Sequence, residues 1–168
     1  MTHPPTSDPR SPGPAGVSAV LATAMTAIGF FALAVFGLAV LSIVRDADII
    51  SVTGLGQAPG IVGMIVAIAV YAGILFLAVR IVRPRFRSVW TIAVSTVLAH
   101  LLTVGIAVLI ETGEFVTALA VMGDLITGGA SIIILVAAAV AGWAGVALRR
   151  TRSSRPRWPW ERDEPDVG

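Results

Sequence analysis

The chain has 168 residues, of which 56% are hydrophobic and only 13% charged, with a formal net charge of +2. Soluble domains carry about 25% charged residues, so this composition excludes a soluble globular enzyme and a disordered chain, and it argues against nucleic-acid binding. There is no cysteine, which excludes disulfides, thiolate nucleophiles, Cys-ligated zinc and iron–sulfur clusters.

Residues 1–16 hold Pro4, Pro5, Pro9, Pro12 and Pro14 together with Gly13 and Gly16. That density predicts a disordered, proline-rich tail. A membrane-spanning helix needs about 20 apolar residues, because ~30 Å of hydrocarbon is crossed at 1.5 Å per residue. Four segments meet this, at about 17–44, 60–79, 89–110 and 129–148. Each is apolar on every face, so helices rather than alternating barrel strands are expected. The fold class is therefore an all-α membrane protein. A four-transmembrane-helix bundle occupies 17–148, and a basic, then Trp-Pro, then acidic tail occupies 149–168. The first run is too long for the apolar core of a signal peptide, about 7–15 residues. It is expected to stay as a tilted or protruding helix.

Between spans 1 and 2, and between spans 3 and 4, the connections open with acids and continue with short apolar runs at 49–56 and 115–122. The second run is a candidate interfacial helix, bent away from span 4 by Gly123 and then Gly128–Gly129. The link from span 2 to span 3 is short, around Pro84, which makes those two spans antiparallel neighbours.

Eleven of the twelve basic residues, all arginine, fall on one side of this layout; Arg45 alone falls on the other, beside Asp46, Asp48, Glu111, Glu114 and Asp124. The positive-inside rule places both termini in the cytoplasm. The expected location is the bacterial inner membrane, as a multi-pass protein. Trp90 and Trp143 fall near the cytoplasmic ends of their spans, where indole rings favour the interface.

Helices in lipid associate through close packing of small residues. Thr91, Ser95, Ala99, Thr103 and Ala107 recur every four residues in span 3. Similar rows are Ala15, Ala19, Thr23 and Ala27 in span 1, and Ala137, Ala141 and Gly145 in span 4, with Ala138 and Gly142 alongside. Gly63 with Ala67, and Ala69 with Gly73, are the pairs of span 2. The plain reading is tight packing of the bundle. The functional reading is an oligomer seam or a polar path along span 3.

His100 is the one ionisable residue deep inside a span, with Thr96 a turn before it and Thr103 three residues on. Intramembrane ionisable residues are costly and mark functional sites by default. No Asp or Glu lies at that depth, so the expected state is a neutral imidazole bonded to a threonine hydroxyl or a carbonyl. His100, Thr96 and Thr103 form the candidate intramembrane polar site.

Known chemistries fit poorly. Bis-histidine haem needs a second histidine in the bundle, and His3 lies in the tail. Serine proteolysis needs a serine beside His100, but Ser131 reads as lying in the outer half of span 4. The outer acids have no calcium-specific spacing. No catalytic residue, cofactor or metal is expected. The chain resembles small multidrug-resistance exporters in span number alone. Those carry a glutamate in the first span, and 17–44 holds no acid.

In the C-terminal tail, Arg155, Arg157, Trp158 and Trp160 form a candidate membrane-surface anchor. Arginines near anionic lipid contribute about 1 kcal/mol each. Two function classes follow. One is a non-enzymatic membrane protein acting through lipid or protein partners: the bilayer itself, anionic inner-leaflet lipids, a second copy, or another membrane protein. The alternative is a small oligomeric transporter or channel using the polar face of span 3 around His100.

Overall fold

The computed structural model describes residues 18–45, 56–80 and 87–150, with side chains as far as Leu148. The described chain forms five helices: α1 (Ala19–Arg45), α2 (Ala58–Arg80), α3 (Arg87–Thr112), α4 (Phe115–Thr127) and α5 (Ala130–Arg150). No strand occurs among the described residues. Helices α1, α2, α3 and α5 are long and apolar enough to cross a membrane, and each coincides with an expected span to within about two residues. The N-terminal tail, 1–16, and residues 151–168 of the C-terminal tail lie outside the described residues, whereas Arg149 and Arg150, expected in the tail, continue α5.

Local chemistry fixes the helix ends. The Ser18 hydroxyl accepts from the backbone N–H of Leu21 at 3.1 Å, which caps an orphan donor of α1. Pro59 sits in the first turn of α2, where its missing N–H has no helical partner to lose. The turn from α3 to α4 puts Gly113 at φ 71°, and its N–H donates to Leu109 O at 2.9 Å. The Thr117 hydroxyl donates to the Glu114 carboxylate at 2.7 Å across the start of α4. Gly128 and Gly129 then reverse the chain: the Gly128 N–H donates to Asp124 O at 2.6 Å, and Gly129 takes φ 85°.

Helix α4 revises the expected interfacial helix. It runs straight through Gly123 to Thr127, so only Gly128–Gly129 turns the chain. It also folds back along α3 rather than lying apart. Ala118, Val121 and Leu125 share one apolar cluster with Leu101, Val104 and Val108. The physical reason is visible at Gly105. A Cβ there would stand 2.5 Å from Met122 Sδ, so the missing side chain is the space into which Met122 packs. The other expected apolar segment lies outside the described residues, except for the non-helical Gly56.

The four long helices form a bundle whose seams close the same way. A Cβ on Gly63 of α2 would lie 2.5 Å from Val104 Cγ2 of α3, and one on Gly37 of α1 would lie 2.5 Å from Ile133 Cγ2 of α5. Gly145 of α5 faces Leu75 and Thr26, and Gly142 faces Val89 and Ile92. These pairs run antiparallel for α1 with α5 and for α3 with α5. Phe30 stacks on Tyr71 with ring centroids 4.7 Å apart, tying α1 to α2. Lipid exerts no hydrophobic push between helices, so such contacts supply the association through close van der Waals packing. One end of the bundle therefore carries Arg80 and Arg87; the other carries Arg45, the end of α3 and α4.

The small-residue rows are met unevenly. In α5, Ala137, Ala138, Ala141, Gly142 and Gly145 are all buried. In α2, Gly63 and Ala67 are buried while Ala69 and Gly73 face outward. In α1, Thr23 is buried and Ala19 and Ala27 half-buried; Ala15 lies outside the described residues. The α3 row is displaced from the core: Thr91 is exposed, and Ser95, Ala99, Thr103 and Ala107 are half-buried. The fully buried row is the next one round, Ile92, Thr96, His100, Val104 and Val108. Small size is needed on only one side of a seam. With Gly63 on α2, helix α3 presents its larger side chains.

Candidate functional site

His100 sits at the middle of α3 on its buried row, 5% exposed. Its ring lies against α2: a Cβ on Gly63 would be 3.3 Å from Cδ2 and 3.4 Å from Nε2. Only glycine leaves room there for both the imidazole and Val104. Thr96, one turn along, is fully buried on the same row. Thr103 is half-buried on the flank. The structure thus unites two of the three candidate residues on one face and sets the third beside it.

The expected threonine partnership is not found. The Thr96 hydroxyl donates to Ile92 O at 2.8 Å, and the Thr103 hydroxyl donates to Ala99 O at 2.7 Å. Both protons go to carbonyls of α3 itself, the usual outlet for threonine within a helix. Among the described residues, no hydrogen bond reaches the imidazole. The described carboxylates, Glu111, Glu114 and Asp124, are all exposed and lie at the α4 end. No group of three metal-ligating side chains occurs among the described residues. The tail residues Arg155, Arg157, Trp158 and Trp160 lie outside them.

Two further buried polar groups, Tyr71 and Thr26, were not singled out from the sequence. Tyr71, the chain's single tyrosine, is fully buried in α2. Its hydroxyl is adjacent to Thr26 of α1 yet makes no bond of good geometry. The Thr26 hydroxyl is committed to Ala22 O at 2.7 Å. Thr23 Oγ1 and Ser131 Oγ are likewise buried and unbonded. The sequence signal for Tyr71 was available: a phenol inside an otherwise apolar run needs a partner for its hydroxyl. Ser131 is the second residue of α5, in the outer half of span 4 as expected, but the helix register adds its level against α3. Gly142 meets Val89 and Ile92, so eleven residues back along α5 reaches the level of His100 on antiparallel α3.

Four apolar spanning helices packed through glycine seams define a multi-pass helical membrane protein. Residues 16–167 match the family of unknown function DUF6121, and the chain belongs to that family. No curated protein and no solved structure matches it.

Proposed function

We propose that this protein is a non-enzymatic, multi-pass component of the bacterial inner membrane, with both termini cytoplasmic, acting through lipid and protein partners. The observation that carries this reading is how the bundle interior is filled. Side chains seat in glycine gaps at Gly37, Gly63 and Gly105, which is the construction of a packed scaffold. The arginine asymmetry supports the orientation. The exposed Trp90 and Trp143 support it too, standing at one depth because Gly142 meets Val89 and Ile92. Arg155, Arg157, Trp158 and Trp160 supply the contact with anionic lipid.

A protease-protection assay on the full-length protein in vesicles tests the lipid partnership. Cleavage of the tail should slow when anionic lipid is included, and the effect should vanish when those four residues become alanine. Equal cleavage with and without anionic lipid would remove the lipid partner from the proposal.

The second reading, a small transporter or channel, is favoured by one observation: a mid-helix imidazole that no described residue hydrogen-bonds. In that reading the working face is the His100–Thr96 row rather than the Thr103 row.

A further inference from the structure

Helix α4 turns three different sides to its surroundings. Ala118, Val121 and Leu125 are buried against Leu101, Val104 and Val108 of α3, with Met122 packed beside them. Thr117 and Asp124 stand two helical turns apart and so share a narrow stripe along one flank. Glu114 joins this stripe at the start of the helix, where its carboxylate accepts from the Thr117 hydroxyl at 2.7 Å. The remaining side holds Phe115, Val116, Leu119, Ala120, Ile126 and Thr127, all exposed and none charged. The hydroxyl on that side, of Thr127, donates to Gly123 O at 2.9 Å, within α4 itself. A threonine turned toward an apolar medium spends its proton in this way.

The depth of α4 follows from what it touches. Met122 fills the gap at Gly105 of α3, and Leu41 Cδ1 of α1 lies 3.8 Å from where a Cβ on Gly129 would stand, just past the end of α4. At these levels the long helices still turn large apolar side chains outward: Leu102 and Ile106 on α3, Val40, Ile43 and Val44 on α1. The first charges appear at the same end. Arg45 closes α1, with Nη1 3.0 Å from the Cβ position on Gly128, and Glu111 stands at the end of α3. Helix α4 therefore lies where the outward apolar surface of the spans meets charged groups, which is the edge of the hydrocarbon.

A helix at that edge keeps its apolar face in the acyl chains and its polar face in water. The outward side of α4 continues the outward apolar surface of α3, and the Thr117–Asp124 stripe supplies the polar edge. Binding of anionic head groups requires cations near the lipid surface. Phe115–Thr127 contains no basic residue, so its chemistry suits acyl chains rather than head groups.

We propose that the outward side of α4 is a lipid-docking face, seated in the acyl chains of the leaflet at the Arg45 end, with the Thr117–Asp124 stripe at the water boundary. The helix thus holds the protein on two sides at once: Ala118, Val121 and Leu125 on α3, and Val116, Leu119 and Ile126 in lipid. This contact is separate from that of the arginine–tryptophan tail and differs from it in kind, because it is independent of head-group charge. It goes beyond the scaffold reading and holds for either orientation of the chain.

The cysteine-free chain makes the test direct. Val116→Cys, Leu119→Cys and Ile126→Cys place a thiol on the outward side, and Asp124→Cys places one on the stripe. Leu102→Cys, exposed on α3, is the reference for a span surface in lipid. Each full-length variant carries a nitroxide label and is reconstituted in phosphatidylcholine vesicles, with and without phosphatidylglycerol. Spin relaxation is then measured with oxygen, which concentrates in acyl chains, and with a neutral nickel chelate, which stays in water. At Leu119 and Ile126 the ratio of oxygen effect to nickel effect should match that at Leu102 and exceed that at Asp124 by at least roughly threefold, as acyl-chain burial of an interfacial helix requires. Phosphatidylglycerol should leave these ratios unchanged. The proposal is overturned if the nickel chelate reaches Leu119 and Ile126 as it reaches Asp124, which would put this side in water. It is equally overturned if neither agent reaches them, which would mean that a second copy or another protein covers the face. If one labelled variant fails to elute as native protein, Val116→Cys takes its place.

Discussion

Gly63 and His100 face one another across the α2–α3 seam so closely that a methyl group on Gly63 would stand 3.3 Å from the imidazole Cδ2 and 2.5 Å from Val104 Cγ2. The glycine is what allows a histidine and a valine to occupy the buried row of α3. Gly63→Ala should therefore overpack the seam and destabilise the bundle by about 1–3 kcal/mol. Gly73→Ala on the same helix, where nothing lies within 4 Å, should be neutral or slightly stabilising, because alanine is the better helix former. Thermal unfolding of the two variants in one detergent gives the comparison. Equal stability would show that the seam is looser than described.

The same argument separates two alanines. Ala138 is fully buried in α5, and Ala99 is half-buried on the flank of α3. Ala138→Leu should cost on the order of 1–3 kcal/mol, with Ala99→Leu costing clearly less. The reverse order, measured by unfolding, would return the core face of α3 to the Thr91–Ala107 row.

How far the sequence could reach follows from these residues. The spans were legible because their length is set by bilayer thickness against helical rise, and charges such as Arg80 and Glu111 end the apolar runs. The buried face of α3 was not legible. In water a polar face reveals the apolar one, but in lipid both faces are apolar, so residue size was the only guide. That guide failed at α3 because the small residue of the seam, Gly63, sits on the partner. Helix α4 was half legible: Phe115–Met122 read as a helix, but Gly123 read as a break. The depth of Ser131 needed the α3–α5 register, which no pattern within one span supplies. His100 was legible as an outlier of chemistry, whereas its contact with Gly63 was not.

Helix α4 should depend on its turn and on one cation. Arg45 Nη1 lies 3.0 Å from where a Cβ on Gly128 would stand, at the carboxyl end of α4. A positive charge there complements the helix dipole by about 0.3–1 kcal/mol. Arg45→Gln should accelerate amide hydrogen exchange in Phe115–Thr127 while leaving the middle of α5 unchanged. Gly129→Ala should do the same more strongly, since φ 85° strains a residue with a Cβ by about 1–2 kcal/mol. Unchanged exchange in α4 for both variants would mean that α4 is held by its contacts with α3 alone.

The orientation is tested by reporter fusions. A fusion after Gly168 should report the cytoplasm, and one within residues 50–58 should report the opposite side, as the arginine asymmetry requires. A C-terminal fusion active outside the cytoplasm would invert the proposed topology.

The central claim is that the bundle is a packed scaffold in which His100 is a neutral, enclosed side chain. Ion and solute flux in vesicles tests it most directly, with wild type against His100→Gln over roughly pH 5.5 to 8, where imidazole titrates and glutamine does not. The account predicts that both proteins fold and insert equally, and that neither raises flux above empty vesicles at any pH. A pH-dependent flux carried by the wild type and abolished in His100→Gln would contradict the scaffold and establish a transporter.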